Sequence, residues 1–311
     1  MGKKELRDLG TTVADRVRLA SDDITPAEQK VARILFSSAM LAGLDTVANL
    51  AERAGVSGPT VIRLTTKLGF GSYLDFQKVL RRELEERSNS PLSLFEKSPQ
   101  PAKGDLLVEF RAIFAATIQS SLARVSPSEI SSVVELLCDT RRPLYLTGGR
   151  FTQLLADMLY LHLFQMRPHV HLLRNGVQSR PDQLLDVGPK TVLMVHDVRR
   201  YQADTVRLAR RAKERGAAVI LMTDPWESPI AEFADHVLIA EVSAPSPFDS
   251  MVPAVALAEA LIAGVMRRMG REGIRRIREI ETLRDGFEWQ GEEALARRAR
   301  PKRKQRKGKA A

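Results

Sequence analysis

Two arginines and a tyrosine stand where an apolar run stops. "TVLMVH" (191–196) is followed by Asp197, Val198, Arg199, Arg200 and Tyr201, and a helical pattern begins there. Guanidinium groups grip phosphates and carboxylates with paired hydrogen bonds, so this is chemistry for holding an anion. The carboxyl end of a buried parallel strand is also where open α/β sheets place small ligands. Internal pairing is the alternative. Arg150, Arg199 and Arg200 could neutralise carboxylates such as Asp197 or Asp204 and close an inert pocket. Tyr201 either stacks on a ligand ring or packs.

A second cluster lies near the N-terminus. Ser57, Gly58, Pro59, Thr60, Arg63, Thr66 and Lys67 fall on one side of a short helical pattern. Small polar groups with two cations suit phosphates and base edges in a DNA major groove. Backbone N–H groups at a helix start can also receive a phosphate. The bland alternative is a helical hairpin with a solvated polar face. Elsewhere the chemistry is thin. His162, His169, His171 and His196 form no metal-ligand spacing, and no cofactor is expected. Cys138, four residues after Val134 on a helical face, reads as a buried structural thiol.

Holding the polar face in place takes two helices. Val47, Leu50, Ala51 and Ala54 fall at i, i+3, i+4 and i+7, one apolar face of a helix starting near Thr46. Gly55 stands where that helix must stop, and Ser57 can cap the next. Val61, Leu64 and Leu68 give the second helix its apolar face, and Gly69 ends it. The short gap between them is that of a helix-turn-helix.

Holding the arginines takes a sheet. The short runs "PLYLT" (143–147), "HVHLL" (169–173), "TVLMVH" (191–196), "AVILMT" (218–223) and "HVLIA" (236–240) alternate with helical stretches such as 150–166 and 201–215. That alternation predicts a five-stranded parallel sheet in an α/β/α sandwich. Helical stretches at 105–124 and 127–139 precede it, the second opened by Ser126 and Pro127. A long apolar helix follows from 253, and Asp249 or Ser250 can start it and face the same strand ends.

At 311 residues the chain divides into a helix-turn-helix domain (1–87), a Ser/Pro/Lys-rich linker (88–104), an α/β domain (105–280) and a C-terminal extension (281–311). Its 44% hydrophobic and 28% charged residues are those of a globular protein. One cysteine fits a reducing compartment. No apolar run of about 18 residues, as a membrane span needs, and no signal-peptide core in "MGKKELRDLG" are evident, so a cytoplasmic protein without membrane contact is expected. The net charge of +10 resides in the tail: residues 297–309 hold nine basic and no acidic side chains. Such a block attracts polyanions, or simply solubilises the terminus.

"ITPAEQKVARILFSS" followed by "TVANLAERAGVSGPTVIRLTTKLGFGSYLDFQKVLRREL" resembles the N-terminal domain of RpiR-family bacterial transcriptional regulators. The family's Ser-x-x-Thr-hydrophobic-x-Arg phrase is Ser57, Thr60, Val61 and Arg63 here. Lys67, Leu68, Gly69 and Phe70 follow, then Tyr73 and Phe76. The resemblance implies a double-stranded DNA operator as partner. It also implies a C-terminal sugar-isomerase (SIS) domain, which "RRAKERGAAVILMTD" and "ESPIAEFADHVLIA" resemble.

The phosphate loops depart from that family. A typical first loop reads Gly-x-Gly-x-Ser; here it is Gly148, Gly149, Arg150, Phe151 and Thr152. A typical third-strand loop reads Ser-x-Ser-Gly-x-Thr; here it is Asp197 through Gln202, with every hydroxyl gone. The resemblance therefore implies a small anionic effector held by side-chain charge. Its expected contacts are Gly148, Arg150, Thr152, Asp197, Arg199, Arg200, Tyr201 and, more loosely, Ser250. Half-site spacing calls for a homodimer or homotetramer. Two alternatives stay open: a ligand-free structural SIS domain, or a sugar-phosphate isomerase drawing on His196, Asp197 or Glu232.

Overall fold

The computed structural model describes residues 12–38, 40–88, 91–97, 105–174, 180–244 and 246–285. The basic tail and the first 11 residues lie outside them.

The N-terminal unit is built from α1 (Val13–Leu19), α2 (Pro26–Ser37), α3 (Val47–Ala54), α4 (Gly58–Lys67) and α5 (Tyr73–Ser88). Thr12 and Thr25 each open a helix with a reciprocal capping box, to Asp15 and Glu28. Thr46 caps α3, and Gly55 ends it at φ 60°, the left-handed region where a side chain is disfavoured. Leu50, Ala51, Ala54, Val61, Leu64 and Leu68 enter one core with Val31, Leu35, Phe76 and Leu80. Phe70 meets Phe76 edge-on at 5.3 Å. The Tyr73 hydroxyl donates to the Gly43 and Asp45 carbonyls, fixing α5 to the turn before α3. Residues 88–104 are not wholly irregular: α6 (Pro91–Lys97) is helical.

Next come α7 (Leu106–Arg124), α8 (Pro127–Cys138), β1 (Leu144–Gly148), α9 (Gln153–Met166), β2 (Val170–Leu172) and α10 (Arg180–Gln183). They are followed by β3 (Val192–His196), α11 (Ala203–Glu214), β4 (Ala218–Thr223), β5 (His236–Ile239), α12 (Val252–Met269) and α13 (Arg271–Asp285). The five strands form one parallel sheet in the order β2-β1-β3-β4-β5. β1 and β3 are buried along their whole length, which explains their unbroken apolar runs. On one face Leu146, Met194, Ile220 and Met222 pack with Leu137, Leu155, Leu159, Leu257 and Leu261 of α8, α9 and α12. On the other, Leu193, Val195 and Leu221 pack with Leu208, Ala209 and Ala212 of α11. Helix α13 extends past the expected boundary at 280.

Three features correct or complete the sequence reading. By length and mean hydropathy (1.3) α7 could cross a membrane, against the expectation that no such run exists. Glu109 and Arg111 interrupt it, and Ser121 accepts the Glu241 N–H as the helix packs against α12. Arg167, at the end of α9, is fully buried and meets no carboxylate among the described residues. Its guanidinium donates instead to the carbonyls of Leu137, Arg142 and Pro168. Burial pulls its pKa below the ordinary arginine value. Cys138 is half-buried, and burial raises its thiol pKa.

Candidate functional site

Helix α4 turns Ser57, Pro59, Arg63, Thr66 and Lys67 outward, with Gly58 half-exposed. Thr60 is a correction, being only 4% exposed. It sits beside Val61 on the inner side of the first turn, and its Oγ1 accepts from Arg63 at 3.0 Å and lies 3.0 Å from Ser57 Oγ. Thr60 thus orients Arg63 rather than facing solvent. Ser57 occupies the cap position but makes no side-chain cap bond, so no hydroxyl occupies the first N–H groups of α4. Lys67 is already engaged: its Nζ donates to Glu28 and to the Asp23 carbonyl, both at 2.8 Å. Burial alone would raise the Glu28 carboxyl, but Lys67 and Thr25 hold it below the ordinary value. Ile62, 41% exposed, joins the outer face; its apolar type hid it from a search for polar groups.

The second site lies between the ends of β1 and β3. Sheet order reverses there, because β1 connects to β2 on one side while β3 lies on the other. Such a switch point opens a crevice. The crevice encloses about 250 Å³ and is lined by Gly149, Arg150, Thr152, Asp197, Arg199, Arg200 and Gln202, among others. Gln202 bridges its walls: its Oε1 accepts the Arg150 N–H at 2.7 Å. The Arg150 and Arg200 side chains are exposed, and neither guanidinium meets a carboxylate among the described residues. Arg200 holds φ at 61°, a strained backbone for a residue with a side chain, as functional loops often are.

Several expected contacts are turned elsewhere. A Cβ on Gly148 would come within 2.5 Å of the Thr152 carbonyl carbon, so that glycine serves the close approach of α9 and does not line the crevice. The Thr152 hydroxyl is spent internally, donating to the His196 carbonyl at 2.6 Å and accepting the Gly149 N–H at 2.7 Å. Tyr201 points away and donates to Asp224 at 2.7 Å. Ser250 Oγ accepts the Val252 N–H at 3.1 Å and only starts α12. Arg199 is paired, though not with Asp197 or Asp204. Its Nε and Nη2 donate to Asp249, the first at 2.7 Å, and Nη1 donates to the Glu86 carbonyl at 3.1 Å.

Beneath the crevice lies a buried acid layer in which Asp197 is joined by Asp224, a residue absent from the sequence candidates. Asp224 accepts the Tyr201 hydroxyl and the N–H groups of Arg199 and Trp226. Burial still pushes its carboxyl up to about 6 and raises the Tyr201 phenol as well. Asp197 accepts the Ser228 hydroxyl at 2.6 Å, and burial pushes it up to about 7. His196 shares its Nδ1 with the Thr147 carbonyl at 3.0 Å, and burial lowers it to about 4, so it is neutral at pH 7. Asp224 could have been sought only as the charged end of a fourth apolar strand.

The molecule thus joins a helix-turn-helix unit to a parallel α/β unit with a crevice at its strand ends. A family model for "Helix-turn-helix domain, rpiR family" matches residues 11–87, and one for "SIS domain" matches residues 137–264. Over 238 residues the chain is 24% identical to the HTH-type transcriptional regulator RpiR of Escherichia coli K12, covering 74% of this chain and 76% of that one. Over 230 residues it is 23% identical to an uncharacterized HTH-type transcriptional regulator of Haemophilus influenzae, covering 73% and 79%. The sugar isomerase domain of the RpiR transcription factor from Sphaerobacter thermophilus superposes at TM-score 0.54 with 26% identity, over 58% of this chain and 99% of that one. Vibrio vulnificus NanR, solved in complex with ManNAc-6P, superposes at TM-score 0.51 with 15% identity, over 89% and 99%, which speaks for the fold. The chain belongs to the RpiR family: it is a transcriptional regulator with an SIS domain.

Proposed function

We propose that α4 reads a double-stranded DNA operator and that a small anionic effector, bound between the β1 and β3 loops, sets its affinity. The observation that carries the effector reading is the pair of guanidinium groups, Arg150 and Arg200, standing over the crevice with no carboxylate partner among the described residues. They take the place of a backbone phosphate cradle, as two point contacts for a phosphate or carboxylate. Complexation of NanR with a phosphorylated sugar is consistent with a ligand of that type. On the DNA side, Arg63, Ser57, Pro59 and Thr66 are presented to the groove, with Thr60 and Lys67 supporting the helix. The protein acts in the cytoplasm as a dimer or tetramer. Leu106, Leu107, Val108 and Leu122, exposed along α7, support a second copy as neighbour. Effector binding then shifts the population between two spacings of the DNA-binding units.

The test is operator protection by the full chain, with phosphorylated sugars and sugar acids as effectors. Arg63→Ala should lower operator affinity on the order of tenfold or more, the loss of one specific contact of ~1–3 kcal/mol. Arg150→Ala with Arg200→Ala should keep operator binding and abolish every effector response. An undiminished response in that double variant overturns the anion reading.

A further inference from the structure

Arg199 lines the crevice, yet its side chain is 9% exposed and engaged on every side. Its anchors come from three stretches of the chain. Asp249, before α12, accepts Nε and Nη2. The Glu86 carbonyl, in the last turn of α5, accepts Nη1. The Trp226 ring lies 4.6 Å from the guanidinium carbon. The Arg199 N–H meets Asp224, which also holds Tyr201. The adjoining residue of α5 repeats the link, since the Arg87 guanidinium sits 4.9 Å from the centre of the Tyr201 ring. The last turn of α5 is therefore fastened to the β3 loop twice, at Arg199 and at Tyr201. Helix α5 in turn packs Phe76 and Leu80 into the core that seats α4.

We propose that Arg199 is a positioning residue that couples the crevice to the DNA-binding unit: an anion entering beside Arg150 and Arg200 draws the Arg199 guanidinium off Asp249 and the Glu86 carbonyl, and the end of α5 is released. This rests on the anion reading of the crevice given above. Both Arg199 donors to Asp249 share the single oxygen Oδ1, so the resident carboxylate is held by one oxygen only. A phosphate offers three oxygens and more charge in the same low-dielectric setting, and so outcompetes it. The Glu86 bond is made to the end of a helix, where the last carbonyls have no partner within the helix. Removing Arg199 leaves that turn to water and to fraying. Arg150 and Arg200 thus bind, while Arg199 transmits.

Amide hydrogen exchange on the full chain tests this. Without ligand, Arg199→Met should lower protection in residues 80–88 on the order of tenfold or more, the effect of losing a charge-assisted bond to that turn, while β1, β3 and β4 stay protected. Asp249→Asn, which leaves the arginine in place, should lower the same protection to a smaller extent and serves if Arg199→Met misfolds. Inorganic phosphate is the ligand probe. Added to the unsubstituted protein it should reproduce the loss at 80–88; added to Arg199→Met it should change nothing further. Unchanged protection at 80–88 in both Arg199→Met and Asp249→Asn overturns the coupling. So does phosphate that binds through Arg150 and Arg200, by calorimetry, without altering those amides. Phosphate that fails to bind at all sinks the anion reading instead, while the two substitutions still decide the role of Arg199.

Discussion

Gly148→Ala separates two roles a glycine can play at a strand end. A cradle glycine gives way to alanine with loss of ligand; a packing glycine gives way with loss of stability. The added Cβ would lie 2.5 Å from the Thr152 carbonyl carbon and 2.6 Å from both the Thr152 oxygen and the Gln153 nitrogen. All three are backbone atoms of the turn entering α9, so no side chain can rotate aside. That turn is held by the Thr152 bonds to the Gly149 N–H and the His196 carbonyl, and by Leu155, Ala156 and Leu159 in the core. Overpacking of this kind costs ~3 kcal/mol, the upper part of the usual range. For a domain of this size that is a fall in Tm of about 6–12 °C. Gly149→Ala is the control. Its Cβ would meet Gln202 Oε1 at 3.1 Å, Thr152 Oγ1 at 3.3 Å and Asp197 Oδ1 at 3.6 Å, all side-chain atoms at longer range rather than backbone. Its cost should stay below about 1 kcal/mol, the range of mild substitutions. Calorimetric melting of the full chain reads both. A Gly148→Ala protein melting within about 2 °C of the parent would refute the packing argument.

Two further outcomes follow from charge. Asp197, held near 7 when folded and near 3.8 when unfolded, binds its proton more tightly in the folded chain. Its contribution to stability is therefore greatest below about pH 4 and is lost as pH rises toward 7; Asp224, pushed up to about 6, adds the same sign. Asp197→Asn should flatten the fall in urea-unfolding stability across that window and stabilise the protein at pH 8; an unchanged pH profile would count against a protonated Asp197. Removal of residues 297–311 should lower the slope of log operator affinity against log salt by about 0.9 for each tail cation that meets a phosphate, and an identical slope would show that the tail leaves the DNA alone.

Much of the architecture was legible because it is local. The five apolar runs correspond to the five strands within a residue or two, since a strand buried on both faces must be apolar throughout. Gly55 and Thr46 mark the helix ends by their backbone needs. Thr60 was misread because a threonine one residue from the apolar stripe fits either side of a helix, and only the Arg63 and Ser57 bonds settle its direction. The β3 loop was visible as a site, but its wiring was not. The partners of Arg199 lie 50 and 113 residues away, and no periodicity relates such positions. Helix α6 escaped notice because its short Leu/Phe pattern is embedded in Ser, Pro and Lys.

Arg167 bears on where the α/β domain can be cut. The SIS match begins at residue 137, inside the last turn of α8. A fragment starting there would keep the Leu137 carbonyl in name but strip away the helix that presents it to Arg167. A guanidinium sealed from solvent would then lose one of its three acceptors, and Val133 and Val134 would vanish from the sheet's apolar cover. A fragment that keeps these contacts must start no later than Ser126, ahead of α8. Domain exchange between regulators of this kind would succeed at a junction upstream of α8 and fail at the boundary that sequence similarity marks.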